Sequence, residues 1–184
     1  KLVDSGVLGW PLKVTVSGVT GYNWKFFWSG EPNLKPMPVP TELDYDFWLG
    51  PTPEAPFSED RTHPQSGYDR PGWIQTEPYG RGMITNWGAH MIDIAQWGNG
   101  TEDTGPVEIE GRGEFPQRGV FNVHTTMHAE ALYANGVRLV VDSQEPGGVR
   151  FIGENGWIDV QRDKLEASDP ALLREKVGDN GIKL

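Results

Sequence analysis

The 184-residue sequence contains no cysteine, which excludes disulfides, thiolate metal sites and cysteine nucleophiles. Basic residues are few: 16 Lys+Arg against 26 Asp+Glu leave a formal net charge of −10. Nucleic-acid phosphates are held by basic stripes, so nucleic acid is not an expected partner. No apolar run reaches the roughly 18 residues of a spanning helix, so no membrane partner is expected. The N-terminus has no charged-then-apolar signal pattern, and the lack of cysteine fits cytoplasm and periplasm equally. Phosphate loops are missing too. Gly80-Arg81-Gly82 and Gly111-Arg112-Gly113 lack the third glycine of a dinucleotide fingerprint, and neither joins a strand to a helix. There is no P-loop, no G-x-S-x-G and no internal repeat. If the protein uses a nucleotide, the segment that binds it is expected elsewhere.

Tryptophan, by contrast, is abundant. Eight of them are too many to bury without partners for their N–H groups, so several are expected in a cleft or an interface. Residues 29–82 hold most of the prolines and many aromatics, too apolar for a linker and too Pro-rich for regular elements. A loop this long is usually functional. An aromatic segment, Tyr22 to Trp28, precedes it. Within the loop, Glu42–Trp48 reads as a short helix with Thr41 as N-cap and Gly50-Pro51 as the stop. The strongest helix is 83–98, with Ile84, Trp87, Met91, Ile94 and Ala95 on an apolar stripe and Gly98 or Gly100 at its end. Gly88 inside it suggests a close approach. A strand is expected after Pro11, and the period is two again after Pro106, with segments running to about residue 162. Asn135-Gly136 and Asn155-Gly156 mark hairpins. A short helix is expected at Pro170–Lys176, capped by Ser168 or Asp169. The fold class is therefore α+β: a large, mostly antiparallel β-sheet with helices packed on one face, the other face available for oligomerisation.

Three groups of residues could carry chemistry. Asn86, His90, Asp93 and Trp97 are spaced 4, 3 and 4, which puts them on one helical stripe. A histidine between an amide and a carboxylate is a plausible acid/base assembly at neutral pH. The same stripe could equally be a solvated face. His124, Thr126, His128 and Glu130 would share one face of a strand over 120–132, with the two histidines about 13 Å apart, too far to chelate one ion. That cluster reads as a polar sheet face or subunit interface. His63 has no visible partner and reads as surface.

Taken together, DYDFWLGPTPEAPF (44–57), YGRGMITNWGAHMIDIAQWG (79–98), GPVEIEG (105–111) and VRFIGENGWIDV (149–160) resemble the substrate domain of NAD(P)-dependent sugar oxidoreductases. The family is the glucose–fructose oxidoreductase / inositol dehydrogenase (Gfo/Idh/MocA) family, and the closest look is to its bacterial subgroup with a Trp-Leu-Gly-Pro loop. The resemblance covers about residues 2–162. It implies that residues 1–184 are a single C-terminal substrate-binding and dimerisation domain, excised or truncated from a parent whose N-terminal Rossmann domain is missing here. NAD or NADP would be bound by the full-length parent, and none is expected on this chain. A Glu-Lys-Pro motif is also missing; the only Glu-Lys pair, Glu175-Lys176, precedes Val177.

The resemblance assigns the catalytic histidine to His90. The family's aspartate four residues earlier is Asn86 here, an amide that can orient a hydroxyl but cannot take its proton. Asp93 matches a structural or orienting aspartate. Tyr79, Arg81 and Trp73, just before the helix, could form the sugar pocket, although loop packing would equally account for Trp73 and Trp48. Two functions remain in view. One is the substrate-binding and oligomerisation domain of an oxidoreductase acting on a sugar or cyclitol, assembled as a homo-oligomer through its sheet face. The other is a non-enzymatic carbohydrate-binding module.

Overall fold

Lys13 and Thr15 alternate with Val14 and Val16, and only the valines are fully buried. That period of two is the signature of a strand with one face in a core. In the computed structural model, which describes residues 1–17, 35–62, 72–144 and 148–174, this strand is β1 (Lys13–Ser17). It is followed by the short helices α1 (Tyr45–Leu49) and α2 (Glu59–Thr62) and the long helix α3 (Trp87–Asn99). Then come β2 (Pro106–Glu114), β3 (Thr126–Tyr133), β4 (Arg138–Asp142), β5 (Gly148–Gly153), β6 (Gly156–Val160) and β7 (Leu165–Ala167). The aromatic segment 22–28, His63 and residues 175–184 lie outside the described residues.

The seven strands form one sheet in the order β2-β3-β4-β1-β5-β6-β7. β1 sits in its middle, parallel to β4 and antiparallel to β5. The pairs β3–β4, β5–β6 and β6–β7 are antiparallel, as the α+β reading expects. The chain forms two compact units: Lys1–Val19, Gly88–Arg112 and His128–Leu184 make the first, Thr20–Trp87 and Gly113–Met127 the second.

In the first unit the register sets Val14 beside Phe151 and Leu139, Val16 beside Val149 and Val141, and Phe151 beside Ile158. All are buried, each contributing about 1.5–3 kcal/mol in removed apolar surface. Helix α3 covers this face. Its buried residues, Gly88, Met91, Ala95 and Asn99, recur at spacings of 3, 4 and 4. The Phe151 ring lies against Gly98, where a Cβ would strike it. The helix ends in a Schellman cap: Gly100 N–H bonds the Trp97 carbonyl, Thr101 N–H bonds that of Gln96, and Gly100 has φ 61.

Several boundaries differ from the sequence expectation, each for a local reason. The helix expected over 83–98 is split. Gly82–Ile84 is a 3-10 turn, Thr85 Oγ1 bonds the Gly82 carbonyl and accepts the Arg81 N–H, and α3 starts only at Trp87. Helix α1 starts at Tyr45 because Asp44, not Thr41, accepts the Phe47 N–H. The strand expected from residue 120 starts at Thr126. Before it, Asn122 is pinned through its N–H to the Gln75 carbonyl and through Oδ1 to the Glu77 N–H. At 133–137 the hairpin has a three-residue loop, closed by Gly136 at φ 88. The β5–β6 turn is Glu154-Asn155, one residue before the Asn-Gly pair, since Gly153 pairs with Gly156. Of the helix expected at 170–176, the described part holds a 3-10 turn, Leu172–Arg174, with Asp169 accepting the Ala171 N–H.

Candidate functional site

The stripe on α3 has the geometry that its spacing implies. His90, Asp93 and Trp97 are exposed, on the side opposite Met91 and Ala95. Asn86 is not in the helix: it is half-buried in the turn just before it. One helix of the first unit thus presents an imidazole and a carboxylate to solvent, three residues apart. Solvent access suits a group that exchanges protons with a substrate.

The pocket residues belong to the second unit. The 3-10 turn Gly72–Gln75 buries Gly72, Ile74 and Gln75 but leaves Trp73 39% exposed. Trp73 and Tyr79 do come together. They line a cavity of about 250 Å³ with Trp48, Leu49, Thr52 and Pro78. Trp48 stands edge-on to Tyr79, with centroids 4.8 Å apart, and stacks on Tyr45 at 5.7 Å. Burial pushes the Tyr79 hydroxyl above its usual range; the Tyr45 hydroxyl pushes the same way and Arg61 opposes it. Arg81 does not line the cavity, and its guanidinium pairs with Glu77 one turn earlier. Trp48, Leu49, Thr52 and Pro78 were not among the expected pocket residues. For Trp48, Leu49 and Thr52 the signal was in the sequence: the Trp-Leu-Gly-Pro run, whose Gly50 at φ 55 ends the helix just before Thr52.

His124 and His128 do not share a strand face. His124 precedes β3 and is 6% exposed in the second unit, and burial lowers its pKa. His128 lies on the sheet face opposite α3. Its Nδ1 is 2.8 Å from an Asp142 carboxylate oxygen and its Nε2 is 3.3 Å from Glu130, which also accepts a bond from Arg138. The hydrogen bonds to Asp142 and Glu130 raise the His128 pKa. Glu130 is lowered by His128 and Arg138. Burial pushes Asp142 up, but His128 and the Gln144 N–H outweigh it and leave it lowered. The partner Asp142 could not be read from sequence, because it depends on the β3–β4 register. Among the described residues, no group of three or more His, Asp or Glu is placed to hold a metal.

Residues 1–161 match the family described as "Oxidoreductase family, C-terminal alpha/beta domain". The chain belongs to this family. No curated protein matches the domain. Among solved structures it is similar to an oxidoreductase domain protein from Kribbella flavida, with 20% identity over 92% of this chain and 38% of that one and a TM-score of 0.46. It is also similar to the WlbA dehydrogenase from Bordetella pertussis, solved with NADH and UDP-GlcNAcA, with 13% identity over 92% of this chain and 41% of that one and a TM-score of 0.43. The domain thus spans less than half the length of either.

In the two glycine pairs of this domain, Gly80, Gly82 and Gly113 leave no room for a Cβ, while Gly111 meets only ordinary contacts at 3.6 Å. A Cβ on Gly80 would lie 2.8 Å from the Ile74 carbonyl, one on Gly82 2.9 Å from Val123, and one on Gly113 3.0 Å from the Thr126 carbonyl. The space beside these three glycines is filled by the chain itself.

Proposed function

We propose that this domain is the substrate-binding and oligomerisation part of an NAD(P)-dependent oxidoreductase acting on a hydroxyl or carbonyl of a sugar or cyclitol. Family membership over residues 1–161 supports the oxidoreductase part. The observation that carries the substrate role is the α3 stripe, with His90 and Asp93 exposed opposite the face that packs on the sheet. On this reading His90 exchanges the proton of the reacting hydroxyl and Asp93 orients the turn. The Asn86 amide holds that hydroxyl or its neighbour without titrating. Trp73, Tyr79 and Arg81 are assigned to contact with the sugar. NAD or NADP is assigned to a Rossmann domain of the parent, and residues 1–184 act as one C-terminal domain.

The test is steady-state kinetics on the full-length parent. His90→Ala should lower turnover by about 100-fold or more, with a much smaller change in the Michaelis constant. Turnover within about threefold of wild type, together with a raised Michaelis constant, would make His90 a binding residue instead. A carbohydrate-binding module without catalysis is the second reading, and the aromatic cavity of the second unit is the observation in its favour. Such a module has no use for the His90 imidazole, so the same kinetics separate the two.

A further inference from the structure

We propose that Asn122 is a positioning residue for the wall of the aromatic cavity: its two hydrogen bonds fix the turn from which Trp73 and Tyr79 reach that wall. The proposal rests on the proposed function only for what the wall contacts. Every residue that carries it belongs to the second unit.

The turn is tied closely to itself. Trp73 and Tyr79 both line the cavity and stand three residues to either side of Thr76. Thr76 is the hub between them. Its N–H donates to the Trp73 carbonyl at 3.1 Å and its Oγ1 to the Gly72 carbonyl at 3.3 Å. Its own carbonyl accepts the Tyr79 and Gly80 N–H groups at 3.0 and 2.9 Å. These bonds all pass through one residue and leave the turn little slack. Whatever sets the place of residues 75–77 therefore sets the backbone of both Trp73 and Tyr79.

Asn122 holds both flanks of that hub. Its N–H donates to the Gln75 carbonyl at 3.0 Å, and its Oδ1 accepts the Glu77 N–H at 2.9 Å, 45 positions along the chain. The base to which they are fixed is firm. Phe121 and Val123, on either side of Asn122, are 1% and 2% exposed, and Val123 packs against Gly82 just past Tyr79.

The exposure of Asn122 decides between a stabilising and a positioning role. Asn122 is open to solvent, so water can replace either of its bonds, and such a bond contributes little net stability. Its effect is directional. Burial of Ile74 holds the turn down without fixing its orientation, whereas bonds on both sides of Thr76 admit one placement. On the side chain only the acceptor oxygen serves this purpose. Aspartate offers the same oxygen at the same reach, and alanine offers none.

NMR on the 184-residue chain tests the proposal without any ligand. Trp48 stands edge-on to Tyr79 with ring centroids 4.8 Å apart, so proton cross-peaks between these two rings report the place of the turn. In Asn122→Ala these cross-peaks should be lost and the Trp73 indole N–H resonance should move. The Glu77 amide should exchange with solvent about threefold to tenfold faster. Asn122→Asp should restore all three signals. Phe151→Leu, which loosens the first unit instead, should leave them in place. The positioning role is refuted if Asn122→Ala keeps the wild-type signals, if Asn122→Asp loses them as alanine does, or if Phe151→Leu loses them too. These failures are distinct from failure of the proposed function. Wild-type signals in Asn122→Ala, with a parent that still loses turnover on His90→Ala, remove the role of Asn122 alone. Lost signals, with a parent indifferent to His90→Ala, remove the catalytic role alone.

Discussion

Placing α3 on the sheet depends on one residue without a side chain. Gly98 lies in the last turn of the helix, where its missing Cβ leaves room for the Phe151 ring. In Gly98→Ala two effects oppose each other. Alanine is the better helix former, by about 1 kcal/mol in a helix interior, and by less this close to the Gly100 cap. Against that, the new methyl meets the ring at Cε1 and Cζ. The ring cannot retreat. Phe151 is 2% exposed, and its neighbours in register are Val14 and Ile158, both buried as deeply. Overpacking of this kind costs about 1–3 kcal/mol. The clash therefore wins, and Gly98→Ala should destabilise by about 1–2 kcal/mol, or about 2–8 °C in Tm for a chain of this length.

Urea unfolding followed by circular dichroism measures the difference, and a second background tests its cause. Phe151→Leu alone should cost about 1 kcal/mol or somewhat more in lost packing. In that background the ring is gone, so Gly98→Ala should become neutral or stabilising. The two substitutions should thus be coupled by at least about 1 kcal/mol. If Gly98→Ala stabilises with Phe151 intact, or costs the same in both backgrounds, the ring contact does not set the position of α3.

Two further outcomes follow from the open face of the sheet. His128 sits among Asp142, Glu130 and Arg112, and its pKa is raised from 6.5, so its contribution is complete below that value and fades as pH rises through the folded pKa. Glu130 and Asp142 are lowered from 4.5 and 3.8, so theirs is complete above those values and is lost as acid protonates them. Urea midpoints measured against pH should therefore peak between about 5 and 6 and fall toward 8, and His128→Gln should flatten that alkaline limb. The same face carries Glu130, Arg138, Arg150 and the half-buried Trp157, with Arg150 lying 4.5 Å over the Trp157 ring. If it is the subunit interface, light scattering at micromolar concentration should give a dimer mass or larger, and a monomer mass counts against it.

How legible was this domain in its sequence? The sheet was readable because its core strands obey period two, and Val14/Val16 and Val149/Phe151 alternate with polar neighbours. The same rule failed at Phe121 and Val123. They are buried at alternate positions too, but by a segment tied to Gln75 and Glu77 through Asn122, bonds between residues more than forty positions apart. Local pattern has no access to such bonds. Strand β7 escaped because three residues hold no period; the Ser168 hydroxyl and amide, both paired with the Trp157 backbone, hold the chain just past its end.

The candidate site divides along the same line. His90 and Asp93 could be placed because 3.6-residue periodicity fixes which face of a helix they occupy, and the buried set 88, 91, 95 and 99 confirms the phase. Asn86 could not, because whether residue 86 is in the helix depends on Thr85 choosing to close a turn with its hydroxyl. Trp48 and Trp73 lie twenty-five residues apart, and only the tertiary fold could show that they share a cavity. Short-range order places the groups that could move a proton, and long-range packing builds the aromatic cavity. His90→Ala should therefore act mainly on turnover, whereas Trp73→Ala in the cavity wall should act mainly on affinity.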